Sequence, residues 1–155
     1  MTYRITGIDP APYRRLAELS EEQLEAEGVI RMTVSEMPGF PCRVSLADRA
    51  VGERVLLLNH VSHDVVGPYR ASHAIFIAEN AQAAAQFVDE IPPALQRRPL
   101  SLRGFGVDGM MLDAMLVEPG GADVAVRRLL ENPEIAVIHA HNAVRGCFAA
   151  EIRRN

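Results

Sequence analysis

Short apolar segments separated by turn residues recur along the whole chain, and this pattern predicts many strands and few helices. A strand is indicated where apolar and polar residues alternate, or where a brief apolar run is bounded by glycine, proline or aspartate. The predicted strands are residues 3–8, 29–34, 43–46, 55–58, 73–77, 100–107, 110–118, 135–141 and 147–153. Residues 59–72 are predicted to be a polar loop, and residues 78–98 a loose helix with a surface connection.

Two segments have the spacing of helices. In residues 12–27, Pro12 suits a first helical turn, and Ser20 begins a second one with the spacing of a capping box to Gln23; Gly28, a residue typical of helix ends, follows. Residues 121–131 carry their apolar positions on one side and are followed by an Asn-Pro pair. We therefore predict an α+β fold, a mostly antiparallel sheet built from hairpins with two or three helices packed against it.

The Asp-Gly pair at 108–109 is a specific local signal, because this dipeptide favours a two-residue hairpin turn. In simple register the turn places Phe105 opposite Leu112 and Leu102 opposite Met115. The methionines of this hairpin are therefore predicted to fill the core rather than to bind metal.

The composition is that of a globular protein, with 48% hydrophobic and 23% charged residues, and it fits a single domain of residues 1–155. The net charge is -4 and no basic segment is present, so we expect no binding to nucleic acid or to a membrane surface. No apolar stretch approaches the length of a bilayer span, and the first residues lack a signal-peptide core, which predicts a cytoplasmic protein. Cys42 and Cys147 are expected to be free thiols, with a disulfide as the alternative if they meet in space.

Five segments carry a resemblance to a known family: GFPCRVSL (39–46), GERVLLLNHVSH (52–63), PYRASHAIFI (68–77), LSLRGFGVDGMMLDA (100–114) and IAVIHAHNAVRGCFAAEI (135–152). Together they resemble the bacterial family called Domain of Unknown Function 1203, over essentially the whole chain. The resemblance implies one full-length domain, and it implies no activity, cofactor or substrate. The same segments hold both cysteines and all five histidines.

His139 and His141 are the centre of the predicted site. They are two residues apart in a predicted strand, so both rings project from one face, about 7 Å apart. A hairpin loop of residues 142–146 in simple register places His141 opposite Cys147, with β-carbons about 4.5–5.5 Å apart. A slip of one residue would turn Cys147 to the other face.

We predict a small-molecule binding site lined by histidine, cysteine and arginine, and the sequence leaves open whether the site is catalytic. An imidazole can transfer protons and activate a thiol, so the candidate catalytic residues are Cys147, His141, His139 and His73. The candidate ligand-binding residues are Arg43, Arg70, Cys42 and Asn142, and Arg103 is a further arginine able to hold a carboxylate or phosphate. We expect both cysteines to converge with His73, His139 and His141 on one side of the sheet, with Arg43 or Arg70 at its edge.

Three alternatives stay open. A zinc ion with one open coordination position fits His139 and His141 together with Cys147 or His73. A thiol nucleophile, Cys147 or Cys42, fits activation by an imidazole or by Arg43. In the third alternative the protein is a non-enzymatic structural or interaction domain whose histidines stabilise the fold. No cofactor other than zinc is indicated, and neither is an oligomeric state.

Overall fold

The computed structural model describes all residues, 1–155, and consists of eleven strands, three α-helices and one 3-10 helix. The strands are β1 (Tyr3–Thr6), β2 (Ile30–Thr33), β3 (Pro41–Cys42), β4 (Ala47–Asp48), β5 (Arg54–His63), β6 (Ala71–Ala78), β7 (Gln86–Val88), β8 (Leu100–Phe105), β9 (Met111–Val117), β10 (Val137–Asn142) and β11 (Phe148–Arg154). The helices are the 3-10 helix (Ala11–Glu18), α1 (Glu21–Ala26), α2 (Pro93–Gln96) and α3 (Ala122–Leu130). None of these helices combines the length and the hydrophobicity that a membrane crossing needs.

A six-stranded sheet is built largely from the last third of the chain. Its strand order is β7-β1-β11-β10-β8-β9, and every neighbouring pair is antiparallel. On one face, Ile138 and Ala140 of β10 join the same buried cluster as Val126 and Leu129 of α3. Because side chains alternate along a strand, the odd-numbered residues of β10 point to the opposite face. The candidate site lies on that opposite face.

A second sheet has five strands and its own core. Its strand order is β2-β5-β6-β3-β4, and all pairs are antiparallel except the parallel contact of β3 with β6. Leu16 of the 3-10 helix and Leu24 of α1 pack with Leu56 and Ile75 of the sheet. Each sheet therefore buries one face against helices, while residues of both sheets meet in the candidate site.

The chain that follows β1 runs so close to the second sheet that only glycine fits there. A Cβ atom on Gly7 would lie 2.1 Å from the carbonyl oxygen of Val44. The next residue, Ile8, donates its N–H to the Arg43 carbonyl at 2.9 Å. The Arg43 side chain in turn donates from Nε to the carbonyl of Phe148, on β11, at 2.6 Å. Arg43 thus links the second sheet to the first.

The predicted α+β class and the antiparallel pairing are confirmed, with the strands divided between two sheets. The capping box is present: the Ser20 hydroxyl accepts from the N–H of Gln23, and the Gln23 side chain accepts from the N–H of Ser20. The predicted start of a second helical segment at Ser20 is also present: the 3-10 helix ends at Glu18 and α1 begins at Glu21, because Leu19 between them has an extended backbone, with ψ of 148°.

The predicted strand at residues 43–46 is wrong, because these residues form the turn between β3 and β4. The N–H of Leu46 donates to the carbonyl of Cys42 at 2.9 Å, and Leu46 has a positive φ of 56°, which a strand does not allow. Residues 78–98 also differ from the prediction, since they contain the strand β7 and the short helix α2.

The predicted polar loop begins too early. Strand β5 continues to His63, and its polar end pairs with β6 through His60 opposite His73. The end of the apolar run at Leu58 predicted the end of the strand there. The strand continues because residues 59–63 pair with β6, and a pairing between distant residues is not visible in the local sequence.

The hairpin of β8 and β9 has the predicted turn and part of the predicted register. Leu102 pairs with Met115 as expected, and Met115 packs against the core. Phe105 pairs with Met111 rather than with Leu112, because a β-bulge lies between Gly104 and Phe105. Leu112 is consequently 43% exposed.

Candidate functional site

A cavity of about 230 Å³ lies between the two sheets, beside the end of β5. Its wall combines strands of both sheets with the loop between β5 and β6. The residues that give it its chemistry are His63, Arg70, Arg103, Phe105, His139 and His141.

His139 and His141 lie side by side on β10, as the sequence predicted. Both residues are 2% exposed, and both line the cavity. The neighbouring Ile138 and Ala140 are buried in the core on the other face. The alternation of the strand therefore places two imidazoles next to each other at the inner wall of the cavity.

Each of these two rings meets a histidine from the second sheet. The ring of His63, at the end of β5, is edge-on to His139, with 5.1 Å between centroids. The ring of His73, on β6, is edge-on to His141 at 4.9 Å. His73 also shares a hydrogen bond of 3.0 Å between its Nδ1 and the hydroxyl of Ser62. His73 was among the predicted site residues, whereas His63 was predicted in a loop; the polar sequence of residues 59–63 carries no signal of its burial at the end of β5.

Backbone carbonyls fix the tautomers of two cavity histidines. His141 donates from Nδ1 to the Gly146 carbonyl at 3.0 Å, and His63 donates from Nε2 to the Gly109 carbonyl at 2.9 Å. A carbonyl oxygen can only accept, so these ring nitrogens carry the protons. In the neutral rings, Nε2 of His141 and Nδ1 of His63 are therefore hydrogen-bond acceptors.

Burial keeps the inner imidazoles uncharged at neutral pH. It lowers the pKa of His139 to about 4, and the charges of His63, Arg153 and Arg103 act in the same direction. It lowers the pKa of His141 to about 3, although the hydrogen bond to Gly146 opposes the change. The pKa of His73 is also lowered, first by burial and then by the positive charges of Arg103 and Arg43.

The charged groups of the cavity wall are both arginines. Arg103 is half-buried, donates from Nε to the Ser101 hydroxyl at 3.3 Å, and has no carboxylate within salt-bridge distance. Arg70 forms an ion pair of 3.0 Å with Asp64, but both side chains are more than half exposed, which makes the pair weak. No aspartate or glutamate lines the cavity. Two acidic groups stand next to the wall, since Asp64 pairs with Arg70 and the Glu151 carboxylate lies 3.9 Å from His139 Nε2. Arg103 is therefore the charged group of the wall that has no acidic partner.

Two phenylalanines that the sequence did not identify pack against the histidines. The ring of Phe105 lies 4.1 Å from that of His63 and 5.1 Å from that of His139, between centroids. The ring of Phe148 lies 5.3 Å from His139 and 5.9 Å from His141. These contacts hold the imidazoles in fixed orientations, and Phe105 also gives the cavity an apolar side.

The predicted pairing of His141 with Cys147 is wrong. A β-bulge between Ala140 and His141 places His141 opposite Phe148. The Cys147 sulfur accepts instead from Arg43 Nη2 at 3.1 Å and from Asn142 Nδ2 at 3.4 Å. Since Asn142 follows His141 directly in β10, its side chain points to the other face of the sheet. Cys147 therefore contacts Arg43 and Asn142 rather than His141, and Cys42 lies in the core of the second sheet, so the five predicted residues do not form one cluster.

The remaining predicted residues, Arg43, Cys42 and Asn142, line a separate void of about 10 Å³. That volume is about one probe sphere, enough for a single water and not for a metabolite. Cys42 is 1% exposed, and its sulfur accepts from the N–H of Ala78 at 3.2 Å. Both cysteines are free thiols. Of the arginines predicted to bind a ligand, Arg70 and Arg103 line the larger cavity and Arg43 does not.

Arg43 is a buried guanidinium with no carboxylate partner. It donates to the carbonyls of Phe148 and Pro41 and to the sulfur of Cys147. Burial lowers its pKa, against the opposing influence of Cys147. These contacts give Arg43 a structural role in joining the two sheets.

The structure contains no preformed cluster for the zinc alternative. No three His, Cys, Asp or Glu side chains of the protein are grouped so that they can hold a metal ion. In particular, the register of β10 and β11 separates Cys147 from His139 and His141. A tetrahedral site built on these residues would need a different register.

A comparison with protein families matches the part of the chain that forms this cavity. The model of the family described as "Protein of unknown function (DUF1203)" matches residues 39–154. The chain belongs to this DUF1203 family. The matched region includes every residue that lines the cavity. No curated protein and no solved structure matches the chain.

Proposed function

We propose that this DUF1203 protein binds a small molecule in the cavity between its two sheets. The observation that carries the proposal is an open volume of about 230 Å³ lined by three histidines and two arginines. This volume is many times that of the smaller void of about 10 Å³, which can hold a single water, so the cavity has room for a small metabolite. Polar groups in a concave, partly apolar wall are typical of ligand sites.

The wall is held in place before any ligand binds. The rings of His63 and His141 are oriented by backbone carbonyls, and those of His139 and His141 by contacts with Phe148. Groups that are fixed in this way bind a ligand without a large loss of side-chain entropy. A set of histidines that served only to stabilise the fold would not need an open volume beside it, which favours binding over the purely structural alternative.

The depressed pKa values favour hydrogen bonding over proton transfer. General bases work best with a pKa near the operating pH, whereas burial brings the pKa of His139 to about 4 and that of His141 to about 3. Cys147 contacts Arg43 and Asn142 instead of these rings. We therefore assign His139, His141 and His73 to ligand binding and ring orientation, and we leave Cys147 out of the site.

A fragment screen with a blocked cavity tests the proposal. Ala71 lines the cavity on β6, so Ala71→Phe should fill part of its volume, whereas Ala74→Phe alters an exposed position of the same strand. We expect some small polar fragments to bind saturably to the wild type and to Ala74→Phe, raising their thermal midpoints, and to lose binding to Ala71→Phe. Equal binding to the two variants, or no binding of any fragment to the wild type, would refute the proposal.

A further inference from the structure

We infer that the ligand of this cavity is a small organic anion, a carboxylate or a phosphate monoester, held by the guanidinium of Arg103. The inference rests on the proposed function and specifies the class of the bound molecule. It follows from the charges, the unused hydrogen-bond donors and the shape of the wall.

Arg103 forms no salt bridge with the protein. Two other partly buried arginines do, since Arg31 pairs with Glu79 at 2.6 Å and Arg98 pairs with Asp48 at 2.5 Å. The buried Arg43 also lacks a carboxylate, but each of its three nitrogens donates to a carbonyl or to the sulfur of Cys147. Arg103 has no acidic partner, although its side chain lies in the cavity wall. A partly desolvated cation without a counter-ion is costly, and an anion in the cavity would remove that cost.

The hydrogen-bond donors of Arg103 are also mostly unused. A guanidinium carries five N–H groups, and only Nε of Arg103 has a protein acceptor, the hydroxyl of Ser101. Its two terminal nitrogens donate to no protein atom. Two parallel N–H groups of this kind match the two oxygens of a carboxylate or phosphate, and such bidentate pairs are among the stronger hydrogen bonds in proteins.

The neutral histidines supply hydrogen bonds rather than charge. Positive charge on Arg103 contributes to the lowered pKa of His139, His141 and His73. At neutral pH these rings are uncharged acceptors and donors, and Arg70, the other arginine of the lining, already pairs with Asp64. Phe105 and Met111 form an apolar part of the wall. The wall therefore suits an anion with an apolar body better than a bare inorganic ion.

Four probes of similar shape separate charge from size. Benzoate and phenyl phosphate are anions, benzamide is neutral, and benzamidine is a cation. At pH 7 we expect at least one of the two anions to bind to the wild type about tenfold more tightly than benzamide. We expect benzamidine to show no binding. The anion that binds more tightly identifies the ligand as a carboxylate or as a phosphate ester. Calorimetry or ligand-observed NMR measures all four.

Substitutions at Arg103 locate the effect. Arg103→Met should weaken anion binding about tenfold or more and leave benzamide unchanged, and Arg103→Lys should restore part of the loss because it keeps the charge. Arg128→Met, at an exposed position of α3, is the control and should bind like the wild type. Because Arg103 has a single protein partner, we expect Arg103→Met to keep the native circular dichroism spectrum.

The outcomes distinguish this inference from the proposed function. If benzamide or benzamidine binds as tightly as the anions, and Ala71→Phe abolishes that binding, the cavity is a ligand site but the assignment to anions is wrong. If anions bind with unchanged affinity to Arg103→Met, the role of Arg103 is wrong. If neither these probes nor the fragments of the earlier screen bind, the proposed function itself fails.

Discussion

The ring of His63 stands nearly perpendicular to the ring of His139, at an interplanar angle of 86° and a centroid distance of 5.1 Å. His63 ends β5 of the five-stranded sheet, and His139 lies within β10 of the six-stranded sheet. One edge-to-face contact therefore connects the two sheets and forms part of the cavity wall. Changes at this pair should affect both the stability of the protein and the binding of a ligand.

Truncation of His139 should destabilise the fold. The side chain is 3% exposed and contacts the rings of His63, Phe105 and Phe148, so His139→Ala should lower the free energy of unfolding by about 2–4 kcal/mol. His139→Phe retains a ring in the same position and should cost less. Urea denaturation measures both, and a loss below about 0.5 kcal/mol for His139→Ala would show that the ring contacts do not hold the sheets together.

Acid should destabilise the protein through His139 and His141. In the unfolded chain both imidazoles titrate near 6.5, whereas in the fold their pKa values are about 4 and about 3. Between these values the unfolded state binds more protons than the folded state. The stability that the two neutral imidazoles contribute is therefore fully present above about pH 6.5 and is lost as the pH is lowered. Each histidine should contribute up to about 1.4 kcal/mol per pH unit in that window.

The variant His141→Asn isolates one of these contributions. Asparagine does not titrate, yet its amide can still donate to the Gly146 carbonyl. In the wild type this carbonyl accepts from His141 Nδ1. Urea denaturation between about pH 6 and pH 4 should show a shallower loss of stability for the variant, by about 1.4 kcal/mol per pH unit. Parallel stability curves for the two proteins would mean that His141 is not kept neutral by the fold.

Arg43 should be a strong determinant of stability. Arg43→Met keeps much of the side-chain volume but removes the donors to the carbonyls of Phe148 and Pro41 and to the sulfur of Cys147. Leaving these buried acceptors unpaired should cost about 2–4 kcal/mol. Arg128→Met, which changes an exposed arginine, should cost less than about 0.5 kcal/mol. Similar unfolding midpoints for the two variants would contradict the linking role of Arg43.

Gly109 should be more sensitive than another glycine of similar conformation. It has a φ of +79°, and a Cβ atom there would lie 2.9 Å from Cγ1 of Val65. Gly120 has a φ of +87° with open space around it. We expect Gly120→Ala to cost about 1 kcal/mol from backbone strain alone, and Gly109→Ala to cost more, because the clash also displaces the carbonyl that accepts from His63. Thermal denaturation of the pair separates the two effects, and equal losses would contradict the close contact.

Local sequence signals predicted most of the elements and part of the candidate site. The Asp-Gly turn correctly paired Leu102 with Met115, and strand alternation correctly placed His139 and His141 on one face. Two β-bulges then shifted the pairing of Phe105 and of His141. Bulges respond to packing across several strands, and a turn sequence does not encode them.

The local pattern of apolar and polar residues also did not predict that the strands form two sheets. The polar end of β5 is a strand because it pairs with β6, and that pairing brings His63 against a strand near the other end of the chain. The predicted cluster of histidines with cysteines therefore separated into a histidine and arginine cavity and a buried Arg43–Cys147 contact. Sequence alternation within one strand carries no information about which distant strand will face it.

The most direct test of the account is an NMR titration of the histidine rings with benzoate at pH 7. We predict saturable shifts of the ring signals of His63, His139 and His141, which line the cavity, and little change for His60, which does not. In Arg103→Met the same shifts should require about tenfold more benzoate. Shifts that are absent, that appear equally at His60, or that benzamidine reproduces would contradict an anion site in this cavity.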